Sequence, residues 1–172
     1  MTADYTHIVE GCRRHDRKAQ RALYEAMAPM AMGVCMRYSS DREEAQDLMQ
    51  DGFVKVFEHV GRMKDVENLS AWVYKVMLNV CLKNYHRKMR RKRAEMEVTE
   101  QVELPLDPFA AEEIVAALQQ LAPAQRQVFN LMAVEGYNYT DAAREMRCTE
   151  VNVRALYSRA RMEMRNLLRF KV

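Results

Sequence analysis

The sequence predicts an all-α fold of two small helical domains joined by an acidic linker. Three observations carry that prediction. Apolar residues recur at i, i+3, i+4 and i+7 through most of the chain, which is helical periodicity. Glycine and proline are scarce, at five and four residues, which suits helices better than a strand-and-turn fold. Near the middle, Pro105 and Pro108 fall in a run of acids where the periodicity fades, and a linker belongs there. A chain of 172 residues can form one compact domain or two small ones, so the pattern decides for two: residues 1–93, a linker over 94–110, and 111–172.

From Asp4 to about Lys88 the pattern reads as successive helices, broken at Ser39-Ser40-Asp41 and again between Gly61 and Ser70. Ser40 or Asp41 is a suitable N-cap, with acids in the turn behind it where the helix dipole favours them. Behind the cap, Ala45, Leu48, Met49, Phe53, Val56, Phe57 and Val60 form one apolar stripe. That helix buries one face and presents the other. A second strong helix starts after Asn68 or Ser70, with Leu69, Trp72, Val73, Val76, Met77, Val80 and Cys81 as its buried stripe. On its polar side Lys75, Asn79, Lys83, His86 and Arg90 fall three or four residues apart and make a basic ridge.

The charges are segregated along the chain. Cys81 to Arg93 holds Lys83, Arg87, Lys88, Arg90, Arg91, Lys92 and Arg93 with no acid, whereas Ala94 to Glu113 holds seven acids and no base. The formal net charge of +3 conceals this, and placement rather than the total bears on a polyanionic partner. A basic ridge alone is also what a solvated helix face looks like. Trp72, Tyr74 and Tyr85 interleave with it, as aromatic platforms do in single-strand binders, but Trp72 falls on the apolar stripe and reads as core.

In the second half, a helix over Glu112 to Leu121 leads to Pro123, which suits a first helical turn because its missing N–H would be unpaired there anyway. That helix ends at Gly136, a natural left-handed C-terminal residue. Thr140 is expected to cap a short helix through Met146, Arg147 and Cys148 to turn, and Thr149 to cap a long helix to about Phe170. Val153, Leu156, Tyr157, Ala160, Met164, Leu167 and Leu168 share one face of it, leaving Arg154, Ala155, Ser158, Arg159 and Arg165 outside that stripe. This is helix-turn-helix spacing, with a recognition helix whose N-terminal residues enter the major groove. An ordinary antiparallel helix pair has the same spacing, and Arg147 stands where many such turns carry glycine.

Several function classes are disfavoured. Cys12, Cys35, Cys81 and Cys148 are far apart with no Cys-x-x-Cys, so reduced, mostly buried thiols are expected rather than a zinc site or disulfides. Asp41, Glu43, Glu44, Asp47 and Asp51 fit a capped, solvated helix start, and no metal is expected. There is no Gly-rich phosphate loop, nucleophile elbow or paired histidine, so no catalytic residue, cofactor or small-molecule substrate is expected. Met27, Met30, Met32 and Met36 either fill helix–helix gaps or line a promiscuous groove. No apolar run approaches about 18 residues and Met1 to Ala22 lacks a signal-peptide stretch, which points to a cytoplasmic protein.

Two blocks carry a resemblance to extracytoplasmic-function (ECF) sigma factors of the sigma-70 family. Glu44-Ala45-Gln46-Asp47-Leu48-Met49-Gln50-Asp51-Gly52-Phe53-Val54-Lys55-Val56-Phe57, followed by Ala71-Trp72-Val73-Tyr74-Lys75-Val76-Met77-Leu78-Asn79 and the basic tail, resembles that family's region 2. Leu121-Ala122-Pro123-Ala124-Gln125-Arg126-Gln127-Val128-Phe129, Tyr139-Thr140-Asp141-Ala142-Ala143 and Val153-Arg154-Ala155-Leu156-Tyr157-Ser158-Arg159-Ala160-Arg161 resemble region 4. Gly52 stands where the family usually has a larger apolar residue, and Ala142 replaces a common isoleucine.

The resemblance implies a core RNA polymerase partner, docked through its β′ clamp coiled coil by Asp47, Gln50 and Asp51 and through its β flap. It implies that the promoter −10 element is opened and held by Met63, Lys64, Lys75, Asn79, Lys83 and Arg87, with 63–70 as the base-capturing loop. Binding energy suffices for this, because held single strands and a captured base offset a few kcal/mol of unstacking. Thr149, Arg154, Ala155, Ser158 and Arg159 would read −35 as duplex, combining phosphate contacts, base edges and groove shape. The acidic linker is similar to the family's connector through the polymerase RNA channel, and an anti-sigma factor is a further implied partner. Two other functions fit parts of the pattern. A helix-turn-helix repressor or activator would bind duplex DNA without needing the first block, and a helical adaptor would show no steep salt dependence of DNA binding.

Overall fold

The computed structural model describes residues 5–63, 66–94 and 111–169, which contain helices and turns and no strand. The chain forms two compact units, Met1–Arg87 and Lys88–Val172. Lys64, the linker from residue 95 to 110 and the end of the last helix at Phe170 lie outside the described residues.

In the first unit, α1 (Thr6–Arg13) and α2 (Arg17–Tyr38) are parted by a turn that the periodicity did not reveal. His15 adopts φ 57°, the Asp16 N–H donates to the Gly11 carbonyl at 3.0 Å, and the Asp16 carboxylate accepts the Lys18 N–H at 2.9 Å. Gly11 is required by the close crossing, because a Cβ there would run into the Ala19 Cβ. The apolar pattern continues across this turn and hides it.

Helix α3 (Arg42–His59) is capped by Asp41, whose carboxylate accepts the Glu44 N–H at 2.8 Å. The Glu44 carboxylate in turn accepts the Ser40 N–H at 3.0 Å, a reciprocal arrangement like a capping box in which an Asp or Ser cap contributes about 1 kcal/mol. The expected stripe is buried, apart from Phe57, which is half-buried. Gly52 lies inside that stripe, and a Cβ built on it would collide with Met77 Sδ. The departure from the family pattern at Gly52 is therefore compensated, since fully buried Met77 of the following helix fills the volume a larger side chain would take.

After a 3₁₀ turn over Val60–Arg62, α4 (Leu69–Ala94) starts behind Asn68, whose carbonyl accepts the Trp72 N–H at 2.9 Å. It runs past Lys88, the end the periodicity suggested. Leu69, Val73, Met77 and Cys81 are buried as expected, joined by Leu78, Leu82 and Tyr85. Trp72, Val76 and Val80 are only half-buried. The buried face is thus turned toward Leu78 and Leu82, and Tyr85 belongs to the core rather than to the basic ridge.

The second unit contains α5 (Ala111–Gln120), α6 (Pro123–Phe129), a π-helical turn over Asn130–Val134, α7 (Tyr139–Met146) and α8 (Glu150–Arg169). Pro123 opens α6 behind Ala122, and Gly136 at φ 72° ends the segment, both as expected. Arg126 is buried, and its guanidinium donates to the carbonyls of Leu118 at 2.9 Å, Gln119 at 2.9 Å and Leu121 at 3.1 Å. It closes the C-terminal end of α5, where the helix dipole favours a cation.

The cap of α7 is Asn138, not Thr140. The Asn138 Oδ1 accepts the Asp141 N–H at 2.8 Å from the extended backbone a cap needs, φ −80° and ψ 171°. Thr140 lies one residue inside the helix, and its hydroxyl donates instead to Glu150 Oε1 at 2.7 Å. Arg147 adopts the left-handed conformation at φ 54°, ψ 45°, which makes the expected turn without glycine. Thr149 caps α8 as expected, its Oγ1 accepting the Asn152 N–H at 3.3 Å. Buried Ala142 and Ala143 let α7 lie close against α8.

Candidate functional site

Three helix faces carry the sequence-predicted site residues other than Met63 and Lys64, and each is opposite a buried stripe. On α3, Asp47, Gln50 and Asp51 are exposed together. Helical spacing places Glu43, Val54 and Glu58 on the same side, and Val54 is 53% exposed. Lys55 pairs with Glu58 at 2.7 Å. This face is acidic with one apolar residue at its centre, suited to a protein surface rather than a polyanion. Val54 was passed over because it lies outside the apolar stripe, which was itself the available signal.

On α4, Lys75, Asn79, Lys83, Arg87 and Arg90 are all exposed, so the ridge exists as predicted. His86 is half-buried, its ring 5.4 Å from that of Tyr85. The near end of the ridge is tied down through Tyr74, whose hydroxyl lies 3.0 Å from Arg37 Nη2. Its far end is tied to the α3 cap. Arg87 Nη2 donates to Asn84 Oδ1 at 2.8 Å, and Asn84 Nδ2 donates to Glu44 Oε1 at 2.6 Å. Arg87 is thereby held in a defined position, which lowers the entropy it would lose on binding an anionic ligand.

Met63, half-buried, is the first residue of the loop expected to capture a base. Arg13 of α1 donates to the carbonyls of Gly61 at 3.1 Å and Met63 at 2.6 Å, anchoring the start of that loop. Sequence reasoning missed Arg13, since nothing local links it to a segment some fifty positions away.

In the second unit, Thr149, Arg154, Ser158 and Arg159 are exposed and Ala155 is half-buried. The Arg154 guanidinium lies over the Tyr139 ring, 4.0 Å from its centroid, and 3.9 Å from Glu150 Oε2. Glu150 in turn accepts from Thr140. Tyr139, Thr140 and Glu150 therefore set the direction of Arg154 across the α7–α8 corner; sequence reasoning gave none of the three this role and took Thr140 only for a cap. A cation–π contact at an exposed site contributes about 0.5–1 kcal/mol.

All four cysteines are free, with Cys12, Cys35 and Cys81 buried and Cys148 half-buried. Burial, then the Asp16 charge, raises the Cys12 thiol, and burial raises Cys148. A hydrogen bond with Cys35, then burial, pushes the Cys81 thiol far up. Among the described residues no group of three or more His, Cys, Asp and Glu side chains could hold a metal ion, and no helix is long and apolar enough to cross a membrane.

An acidic exposed face and a basic ridge in one unit, with a helix-turn-helix in the other, define a two-part helical protein of transcription. Residues 23–92 match Sigma-70 region 2, and residues 111–164 match Sigma-70, region 4. The RNA polymerase sigma-H factor of Pseudomonas aeruginosa is 28% identical over 171 residues, covering 90% of this chain and 88% of that protein. The ECF RNA polymerase sigma factor EcfG of Rhodopseudomonas palustris is 26% identical over 148 residues, covering 83% and 81%. The sigma factor RpoE of Bartonella quintana, solved in complex with the anti-sigma factor NepR, has a similar fold, with a TM-score of 0.52 at 23% identity over 87% of this chain and 96% of that one. The chain belongs to the sigma-70 family, in its ECF group. It acts as an RNA polymerase sigma factor, binding core polymerase and directing promoter-specific initiation. Sigma factors are in general non-enzymatic regulators.

Proposed function

We propose a residue-level division of labour. Asp47, Gln50 and Asp51, with Val54 among them, dock on the β′ clamp coiled coil of core polymerase. Lys75, Asn79, Lys83 and Arg87 hold the opened −10 strand, while Met63 and Lys64 begin the loop that takes a base out of the stack. Lys64 lies outside the described residues. Thr149, Arg154, Ala155, Ser158 and Arg159 read −35 as duplex, and the second domain also meets the β flap. The domains span 1–93 and 111–172, with 94–110 as the connector.

The observation that carries this reading is the opposition of faces. The residues proposed on α3, α4 and α8 are exposed, apart from half-buried Ala155, on helices whose other sides are buried, so these faces can be occupied without unfolding anything. The chain carries no catalytic site of its own, needs no cofactor or metal, and works in the cytoplasm. A relative solved with an anti-sigma factor supports such a factor as a partner here.

The test is run-off transcription with purified core polymerase and promoter fragments. Start-site-specific transcripts are expected only when the chain is added. Asn79→Ala should reduce strand opening, read by permanganate reactivity of unpaired thymines, more than it reduces −35 duplex binding. Equal losses in both would refute the division of labour.

A further inference from the structure

We propose that Val151, with Ala155 one turn behind it, reads the C5-methyl group of a thymine in the −35 duplex. The inference rests on the region 4 reading above and adds a specificity-determining residue to it. Val151 is 73% exposed, although valine in the first turn of a solvated helix gains nothing from water. Lone exposed apolar residues are common, so its surroundings decide.

The roll of α8 is fixed by Val153, Ala160 and Met164, all buried. At 3.6 residues per turn, positions 151, 155 and 158 fall on the side opposite Val153. That side is therefore led by Val151, with small residues Ala155 and Ser158 behind it, a profile that lets the helix approach base edges closely. Exposed Arg154 and Arg159 flank the line and supply attraction to phosphates. Arg154 is held over Tyr139 of α7. The Glu150 carboxylate, beside Val151, accepts from Thr140 and faces Arg154, which offsets its repulsion of DNA.

The chemistry selects the ligand. In the major groove thymine alone presents a methyl group, and the other edges present donors or acceptors. Valine offers those edges no hydrogen bond, so a polar group pressed against it loses its water without replacement. Its branched side chain is nearly locked at χ1 in a helix, so its methyls are placed before binding. Burying one methyl group corresponds to about fourfold in affinity.

The test uses holoenzyme formed with core polymerase and the −35 duplex it selects from a randomised pool. Each thymine of that duplex is replaced in turn by deoxyuridine, which removes only the methyl. The wild-type chain should lose about fourfold at one thymine or more, and Val151→Ala should bind the thymine and deoxyuridine duplexes equally there. Val151→Thr, which keeps one methyl, should retain part of the difference. Indifference of the wild type to every replacement, or unchanged discrimination by Val151→Ala, would overturn the proposal and leave −35 reading intact. Failure to select any −35 sequence while −10 opening persists would instead remove the region 4 reading and this proposal with it.

Discussion

Arg126→Ala should destabilise the second unit and leave the first unchanged. The wild-type guanidinium makes hydrogen bonds of 2.9, 2.9 and 3.1 Å to the carbonyls of Leu118, Gln119 and Leu121. Bonds to a charged group contribute about 1.5–3 kcal/mol each, so three bound the loss at roughly 5–9 kcal/mol. Removing the charge also removes the several kcal/mol that burying it costs, and with carbonyls left unsatisfied at about 1–3 kcal/mol each a net loss of about 3 kcal/mol is expected. At roughly 4–8 °C per kcal/mol for a domain of this length, the thermal transition falls by roughly 12–24 °C. The assay separates the units because Trp72 is the only tryptophan and lies in the first. Trp fluorescence should report an unmoved transition, while far-UV circular dichroism shows part of the helix melting early. Arg126→Lys keeps the charge but lacks the planar fork, and should recover only part. A dichroism transition shifted by less than about 4 °C, equivalent to under 1 kcal/mol, would refute the capping role.

Three further outcomes follow from named contacts. Gly52→Leu should destabilise the first unit by about 1–3 kcal/mol through overpacking against Met77, and adding Met77→Ala should restore much of it; additive losses in urea midpoints would contradict the size exchange. Tyr139→Leu should weaken −35 duplex binding about two- to fivefold through loss of the cation–π contact, with Tyr139→Phe near wild type; equal effects of both would point to a different cause. Burial raises the Cys12 and Cys148 thiols, so folding favours their protonated form. Their contribution to stability is present below the unfolded value near about 8.5 and is lost as pH rises through the folded values. Alkylation of the folded chain at pH 8 should therefore lag that of the urea-unfolded chain at least tenfold, and similar rates would count against the buried positions.

Much of this fold was legible because periodicity records burial directly. The α3 stripe and the ridge of Lys75, Asn79 and Lys83 are visible as i, i+3 and i+4 patterns, and the structure keeps them. Pro123, Gly136 and Thr149 were readable because a missing N–H, a positive φ and a capping oxygen are local properties. What was missed depends on contacts distant in sequence or on competition between neighbours. Nothing near Arg13 announces its bonds to Gly61 and Met63, and nothing near Gly52 announces Met77. Thr140 is a good cap by type, but Asn138 is better placed, and the hydroxyl was needed by Glu150. Arg126 sits in a stripe that periodicity assigns to apolar residues, and only the α5 carbonyls explain it.

The α3 face also decides between a sigma factor and a repressor, by the sign of two effects. Asp47 and Asp51 are exposed beside Glu43 and Glu58, and the nearby Lys55 is already paired with Glu58 at 2.7 Å. DNA, a polyanion, is repelled by such a face. If the protein acted by binding DNA alone, Asp47→Lys with Asp51→Lys would remove that repulsion, tighten non-specific DNA binding and leave its regulatory output intact or stronger. If the face docks on polymerase, the same reversal places like charges against the partner's complementary surface, which costs several kcal/mol at an interface and so at least about 100-fold in core affinity. The double variant should therefore bind duplex DNA at least as well as the wild type while losing promoter-specific transcripts. Raising core polymerase well above its wild-type requirement should restore them in part. Transcription that survives the reversal at low core concentration would show that α3 is not the docking helix, whatever region 4 does at −35.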